Sequence, residues 1–279
     1  MVEHIEKRIS VRHYRRMKIE DTVLSRIQEI MQQVHQNKGP FGHGIKLSYH
    51  HSPYIEEQTR IKIGTYGFVK NAPAYIAGIT HDRFENLVDF GYLMESLILE
   101  LTGLGLGTVW LAGTFNRKAF DVLLRKGEIV PAITAVGYPA GKQTAREKMT
   151  RRLSRADRRL PFETLFHLND FNRPLAPDTP ELMPIYQSLE LVRIGPSASN
   201  KQPWRALVQY PDVHLYLKRN PKYGKVLSFD LQALDIGIAI YHFEQGLIGK
   251  GVTYKIEQTQ APTHPDLTYV TSFKIGKNP

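Results

Sequence analysis

The sequence predicts an α+β fold made of two sheet-and-helix halves in one chain, and three observations predict it. A long apolar helical pattern occurs twice, over residues 85–106 and 231–248, each followed by glycines and then a strand pattern. Gly91, Gly103 and Gly105 of the first return as Gly237, Gly249 and Gly251 at one constant offset, and Leu101 matches Leu247 in the same register. The closing strands end alike, on Val136-Gly137 and Ile275-Gly276. Shared register together with shared element order favours an internal duplication. A length of 279 residues allows it, and the proline-rich stretch 172–180 marks the join, giving halves at 1–170 and 171–279. The halves are expected to share a face rather than to form separable beads.

In chain order, residues 2–8 carry a short helical pattern. Arg8-Ile9-Ser10-Val11-Arg12-His13-Tyr14 then alternates, with Ile9 and Val11 on one side and Arg8, Ser10 and Arg12 on the other. An extended backbone would bury the two aliphatics and aim two guanidinium groups and a hydroxyl at one point. That donor set suits a phosphate monoester, although an exposed edge strand alternates too. Residues 20–37 read as an amphipathic helix with Val23, Leu24, Ile27, Ile30, Met31 and Val34 on its apolar stripe, closed by Lys38-Gly39-Pro40. Strand patterns follow near 45–50 and 73–79, with the turn Gly64-Thr65-Tyr66-Gly67 between them.

The 85–106 helix is apolar on most of its circumference and is expected to be largely buried. Its Gly103-Leu104-Gly105 string ends a helix and opens a strand, the reverse of a dinucleotide fingerprint, so that reading is rejected. A buried strand is expected over 131–139. A helical pattern through Leu182, Ile185, Leu189 and Val192 leads into Ile194-Gly195-Pro196-Ser197-Ala198-Ser199-Asn200-Lys201-Gln202-Pro203-Trp204. Two prolines stiffen this loop and should leave its polarity on display. The alternation of Ala206, Val208 and Tyr210 follows, inside a hairpin pattern over 206–218. A cluster of amide and hydroxyl groups where a helix hands over to a sheet suits a planar heterocycle, and an ordinary capped loop is the plainer alternative.

Composition narrows the function classes. There are 37 basic and 27 acidic residues, a formal charge of +10, and no cysteine. Thiolate catalysis and disulfides are therefore excluded, and the absence fits a reducing cytoplasm. The N-terminus shows no apolar signal core. The most apolar stretch is broken by glutamates and glycines, so no membrane span is expected. The positive charge concentrates between Lys142 and Arg159 without interleaved aromatics, which argues against nucleic acid and for a solvated face. Neighbouring residues in sequence offer no metal-ligand spacing among the histidines.

The loop string resembles the Pro-Ser-x-x-Asn-x-Gln-Pro-Trp motif of the FMN-dependent nitroreductase family, and companion motifs resemble the same family. They are the Arg-x-Ser-x-Arg segment, the glycine turn running into Trp110, Leu111, Ala112 and Gly113, and the Arg159-Leu160-Pro161 close. The resemblance implies a nitroreductase-like fold whose fused halves form an intrachain pseudodimer. It implies that Arg8, Ser10, Arg12 and Arg159 hold an FMN phosphate. Trp110, Leu111, Ala112 and Gly113 would meet the flavin edge, with Thr65 and Tyr66 nearby. Pro196, Ser197, Ala198, Asn200 and Gln202 would come from the other half, and Leu234 from the second long helix. The first half offers Gly39-Pro40-Phe41-Gly42-His43-Gly44 where the family places its polar loop, so one complete site per chain is expected.

The implied activity is ping-pong hydride transfer from NAD(P)H through FMN to a small acceptor such as a nitroaromatic or quinone. The flavin carries the chemistry, so no catalytic side chain is assigned. The fused halves replace the family dimer, which implies that a monomer suffices. A non-enzymatic or degenerate flavin-binding protein is the alternative, and a nucleic-acid-binding protein using residues 142–159 is the remote one.

Overall fold

A computed structural model describes residues 1–52, 63, 65, 67–141, 158–176, 180–221 and 227–276. Tyr66, the basic residues from Lys142 to Arg155 and the middle of the 172–180 linker lie outside the described residues.

The first half runs α1 (Val2–Lys7), α2 (Asp21–Gln36), β1 (Lys46–His51), β2 (Ala74–His81), α3 (Phe84–Gly103), β3 (Gly107–Leu111), a 3-10 segment (Arg117–Leu123), β4 (Glu128–Ile129) and β5 (Ile133–Gly137). A single turn α4 (Phe162–Leu165) and β6 (Phe166–Leu168) lead to α5 (Met183–Ile194), β7 (Trp204–Gln209), β8 (Asp212–Leu217), α6 (Leu231–Gly249), β9 (Tyr254–Glu257) and β10 (Thr268–Ile275). The first sheet is ordered β1-β2-β5-β3, with β4 on β2; the second is ordered β6-β7-β8-β10-β9. Matching α2-β1-β2-α3-β3-β5 to α5-β7-β8-α6-β9-β10 superposes both the chain order and the sheet order. Strand β6 precedes the linker yet pairs with β7, so it completes the second sheet.

One apolar core serves both halves. Leu87, Phe90 and Leu97 of α3 and Ala233, Ile240 and Phe243 of α6 are buried in the same cluster, with the inner faces of both sheets closing over it. The two long helices end identically. Leu106 N donates to Leu101 O at 3.1 Å and Val252 N to Leu247 O at 3.0 Å, across Gly105 and Gly251, whose φ angles are +74° and +67°. That left-handed step costs glycine nothing and satisfies carbonyls that a helix end would otherwise orphan. The repeated glycines are therefore helix stops in a shared fold.

One expectation for the N-terminal arm is corrected. Ile9 is 50% exposed, so the segment does not bury both aliphatics. The arm lies along the edge of the first sheet through a Ser10–Thr108 bridge, and Val11 N donates to Thr108 O at 2.8 Å. Val11 packs against Gly107, whereas Ile9 is left facing solvent. Tyr210 is likewise outside β7, half exposed in the turn to Pro211.

Candidate functional site

The site is assembled from segments far apart in sequence. The polar loop leaves α5 at Gly195 and turns sharply, with Ser199, Asn200 and Gln202 at φ angles of +46°, +55° and +49°. Non-glycine residues in that region carry strain, and such strain collects where a loop is held for a purpose. Several bonds hold it. Ala198 N donates to Asp235 Oδ1 at 2.9 Å, and Gln202 N donates to Ser197 Oγ at 2.9 Å. The segment before α4 then closes on the loop. Arg159 donates to Asn200 Oδ1 at 2.6 Å and to Ile194 O at 2.8 Å. Leu160 N donates to Gln202 Oε1 at 2.9 Å, and Asn200 Nδ2 donates to Arg158 O at 2.7 Å. The structure thus brings Arg159, Asn200 and Gln202 together, as two of the sequence motifs require.

The expectation that the loop displays nearly all its polarity is corrected for Gln202. That residue is 2% exposed, and its amide is spent on Leu160 N and Asn200 O. Its role in this arrangement is to join the two segments, since a buried amide needs partners on both ends.

The N-terminal arm and the glycine turn meet at Glu95, a fully buried residue of α3 that sequence reasoning did not single out. Trp110 Nε1 donates to Glu95 Oε2 at 2.7 Å, and Arg8 Nε lies 3.9 Å from Oε1. His242, buried on α6, places Nε2 2.9 Å from the same Oε1 and Nδ1 2.9 Å from Leu191 O. Its ring also abuts Gly195, where the polar loop begins. Arm, turn and loop are therefore linked by one pair of buried side chains. Burial alone would push the Glu95 carboxyl up. The hydrogen bond and charge of His242, the charge of Arg8 and the Trp110 indole outweigh it and hold the group below the usual carboxylate range. A Glu and a His so far apart in sequence leave no local spacing signal. Only the duplication register, which sets Glu95 against Tyr241 and His242 against Ser96, could have drawn attention to them.

The remaining positions fall around this centre. Arg117 donates to Ala112 O and lies over the rings of Phe115 and Phe229, pinning the 110–113 turn to the second half. A Cβ built on Gly113 would meet nothing within 4 Å, so the turn opens onto free space. Leu111 is buried in the sheet, and Ala112 is part-buried. Thr65 is buried with its hydroxyl on Val69 O, in a turn that leads to Lys70, whose N–H donates to Arg12 O at 2.8 Å. Leu234 lies inside the α3–α6 contact, its carbonyl facing Gly91. A cavity of about 360 Å³ opens at the start of α6, lined by Asp82, Arg219, Phe229, Asp230 and Gln232 among others. Its size is that of a small-ligand site.

Asp235 carries a further signal. Burial pushes its carboxyl up to about 8, and Oδ2 has no partner among the described residues. At the glycine offset its counterpart is Asp89, whose oxygens accept from Phe41 N at 2.9 Å and His43 N at 2.8 Å. Both aspartates hold the loop that follows the preceding helix. The first half keeps that device without the polar residues of the second.

An α+β chain with two equivalent sheets closing over a shared helical core, a cationic arm and a strained polar loop has the architecture of nitroreductase-type oxidoreductases. The comparison with known proteins agrees: residues 1–247 match the family described as "Putative TM nitroreductase", and the chain belongs to that family. The fold is similar to that of a putative nitroreductase from Thermotoga maritima MSB8, with 21% identity, 98% of this chain and 93% of that chain covered, and a TM-score of 0.59. An FMN-dependent nitroreductase from Clostridium difficile R20291 matches 52% of this chain and 91% of its own at 20% identity, with a TM-score of 0.39. A nitroreductase family protein from Clostridium novyi NT matches 50% and 84% at 22% identity, with a TM-score of 0.40. No curated protein matches the chain.

Proposed function

We propose that the chain is an FMN-dependent oxidoreductase that takes electrons from NAD(P)H and passes them to a small acceptor of the nitroaromatic or quinone class. The observation that carries this reading is the convergence on one place of three separated elements: a cationic arm, an open glycine turn and a polar loop. The donor set fits FMN. Arginines at 8, 12 and 159 with the Ser10 hydroxyl match a phosphate monoester, and the open space at Gly113 lets a flat ring approach the backbone. Bound FMN would supply two-electron transfer.

The chain's own residues then bind, orient and exclude water. Arg159, bonded to Asn200, would tie the phosphate end to the polar loop and so couple occupancy to loop geometry. The backbone at Trp110, Leu111, Ala112 and Gly113 would meet the ring edge, and Arg117 fixes that backbone by capping Ala112 O. Donor and acceptor would use the same open face in turn, as a ping-pong reaction requires. We read the working unit as one chain, because the halves supply each other's motifs, and the cysteine-free sequence favours the reducing cytoplasm. Among the described residues no helix is long and apolar enough to cross a membrane.

The test is an anaerobic absorbance spectrum of purified chain loaded with FMN, before and after NADH or NADPH. A flavin spectrum that bleaches on addition and returns with a quinone supports the reading. Bound flavin that no nicotinamide bleaches would leave a flavin holder, and a chain that takes up no FMN would overturn the assignment.

A further inference from the structure

Glu95 and His242 face each other across the α3–α6 contact, and the duplication register gives their contact a counterpart. Glu95 corresponds to Tyr241 and Ser96 to His242, so the equivalent pair is Tyr241 and Ser96, which are also joined by a side-chain hydrogen bond. An isologous interface repeats each contact in this way. Here one copy is ionisable and the other is neutral. The ionisable copy is the one that touches Arg8 and Trp110.

Two nitrogen-bearing side chains, an imidazole and a guanidinium, approach Glu95 Oε1. His242 Nε2 occupies it at 2.9 Å, and Arg8 Nε stays at 3.9 Å, beyond hydrogen-bond length. The other oxygen is filled by the Trp110 indole at 2.7 Å. A buried carboxylate oxygen stripped of its donor is costly, and the nearest cation moves in to replace it. Without His242, that cation is Arg8, whose side chain is only 7% exposed.

We propose that His242 is a positioning residue for the phosphate arm: by holding Glu95 Oε1 from the second half, it keeps the Arg8 guanidinium off that oxygen and in register for the FMN phosphate. This rests on the flavin reading above. Arm and loop come from different halves, so this contact joins the two.

The two ring nitrogens can be replaced separately. His242→Gln places an amide donor near the Nε2 position, and His242→Asn places one near Nδ1. Full-length apoprotein is titrated with FMN and, separately, riboflavin, following quenching of flavin fluorescence. His242→Asn should weaken FMN binding about tenfold and leave riboflavin within about twofold, as expected for loss of a charge-assisted phosphate contact. His242→Gln should restore FMN affinity to within about threefold of wild type, and Ser96→Ala at the neutral copy should leave it unchanged. In an Arg8→Ala background, His242→Asn should cost nothing further.

Equal losses for FMN and riboflavin, or equal behaviour of the Gln and Asn variants, would overturn the assignment. If His242→Asn does not fold, Glu95→Gln/His242→Asn carries the test, since it leaves no buried carboxylate for Arg8 to collapse onto. FMN affinity within about threefold of wild type supports the inference, and a loss of about tenfold overturns it. Wild-type chain that binds no FMN overturns the flavin reading and this inference with it. Wild-type chain that binds FMN while the variants match it overturns this inference alone.

Discussion

Gly91 and Gly237 cross back to back at the centre of the molecule. A Cβ on Gly91 would fall 2.1 Å from Leu234 O, and one on Gly237 would fall 2.0 Å from Val88 O. Val88 and Leu234 are themselves related by the offset that relates the two glycines, so the contact is self-complementary like that of a two-fold dimer. This is physical ground for the pseudodimer reading, and it sets a first prediction. Alanine in a helix interior ordinarily gains about 1 kcal/mol over glycine. Gly91→Ala should instead destabilise the chain by about 3 kcal/mol or more, because backbone cannot yield as a side chain does. Urea denaturation decides between the signs: a stabilised variant would mean that the helices do not cross at this distance.

The N-terminal arm and the loop should separate by ligand. Arg12→Ala should weaken FMN binding about tenfold to a hundredfold and leave riboflavin almost untouched, since a charge-assisted bond to phosphate contributes about 1.5–3 kcal/mol. Asn200→Ala should weaken both flavins, because Asn200 joins Arg159 to Arg158 O and so shapes the whole loop. Matched fluorescence titrations are the measurement. A riboflavin loss as large as the FMN loss in Arg12→Ala would remove the arm from the phosphate site.

Asp235 predicts a pH dependence. Its folded value, pushed up to about 8 by burial, stands above the ordinary 3.8. Between those values the folded chain keeps a proton that the unfolded chain releases, so folding stability from this group is complete below about pH 4 and falls as pH rises toward about 8. Asp89, raised to about 6, adds the same sign over a narrower window. Asp235→Asn removes the larger contribution and still accepts from Ala198 N. The melting temperature of the apo variant should therefore gain on wild type steadily from about pH 4 to about pH 8 and run parallel above it. A constant difference across that range would show that Asp235 is ionised in the folded chain.

Much of this architecture was legible in the sequence because helix period and glycine register are local signals. The stripe of Ile27, Ile30 and Val34 placed α2, and the glycines near 105 and 251 marked both helix stops. Motif strings likewise carried Arg159 to Asn200. What stayed hidden depends on which oxygen meets which nitrogen across the core. Glu95 reads as one polar residue in an apolar helix, and His242 as another, until the helices cross. Ile9 misled for a related reason: alternation gives the sides of a strand but not whether a neighbouring element covers one of them. Gln202 misled because a polar loop residue can be consumed by its own scaffold.

The last prediction concerns stoichiometry. The duplication gives two pseudo-equivalent positions at the shared face, yet their surroundings differ, at the arm and at the buried groups that hold arm and loop. The arm with Arg8, Ser10 and Arg12 is bridged to β3, whereas β9, the equivalent edge strand of the second sheet, has no arm paired to it among the described residues. Asp89 has both oxygens filled by Phe41 and His43, while Asp235 has one open. The buried pair is Glu95 with His242 on one side and Tyr241 with Ser96 on the other. A saturated chain should therefore hold one FMN. Because ligand that binds only the folded state raises its stability by mass action, the thermal shift with FMN should also fit a single site. Titration of apoprotein to an absorbance endpoint checks it directly. Two equivalents per chain would mean that the second position can assemble a phosphate site without an arm, and the division of labour between the halves would have to be abandoned.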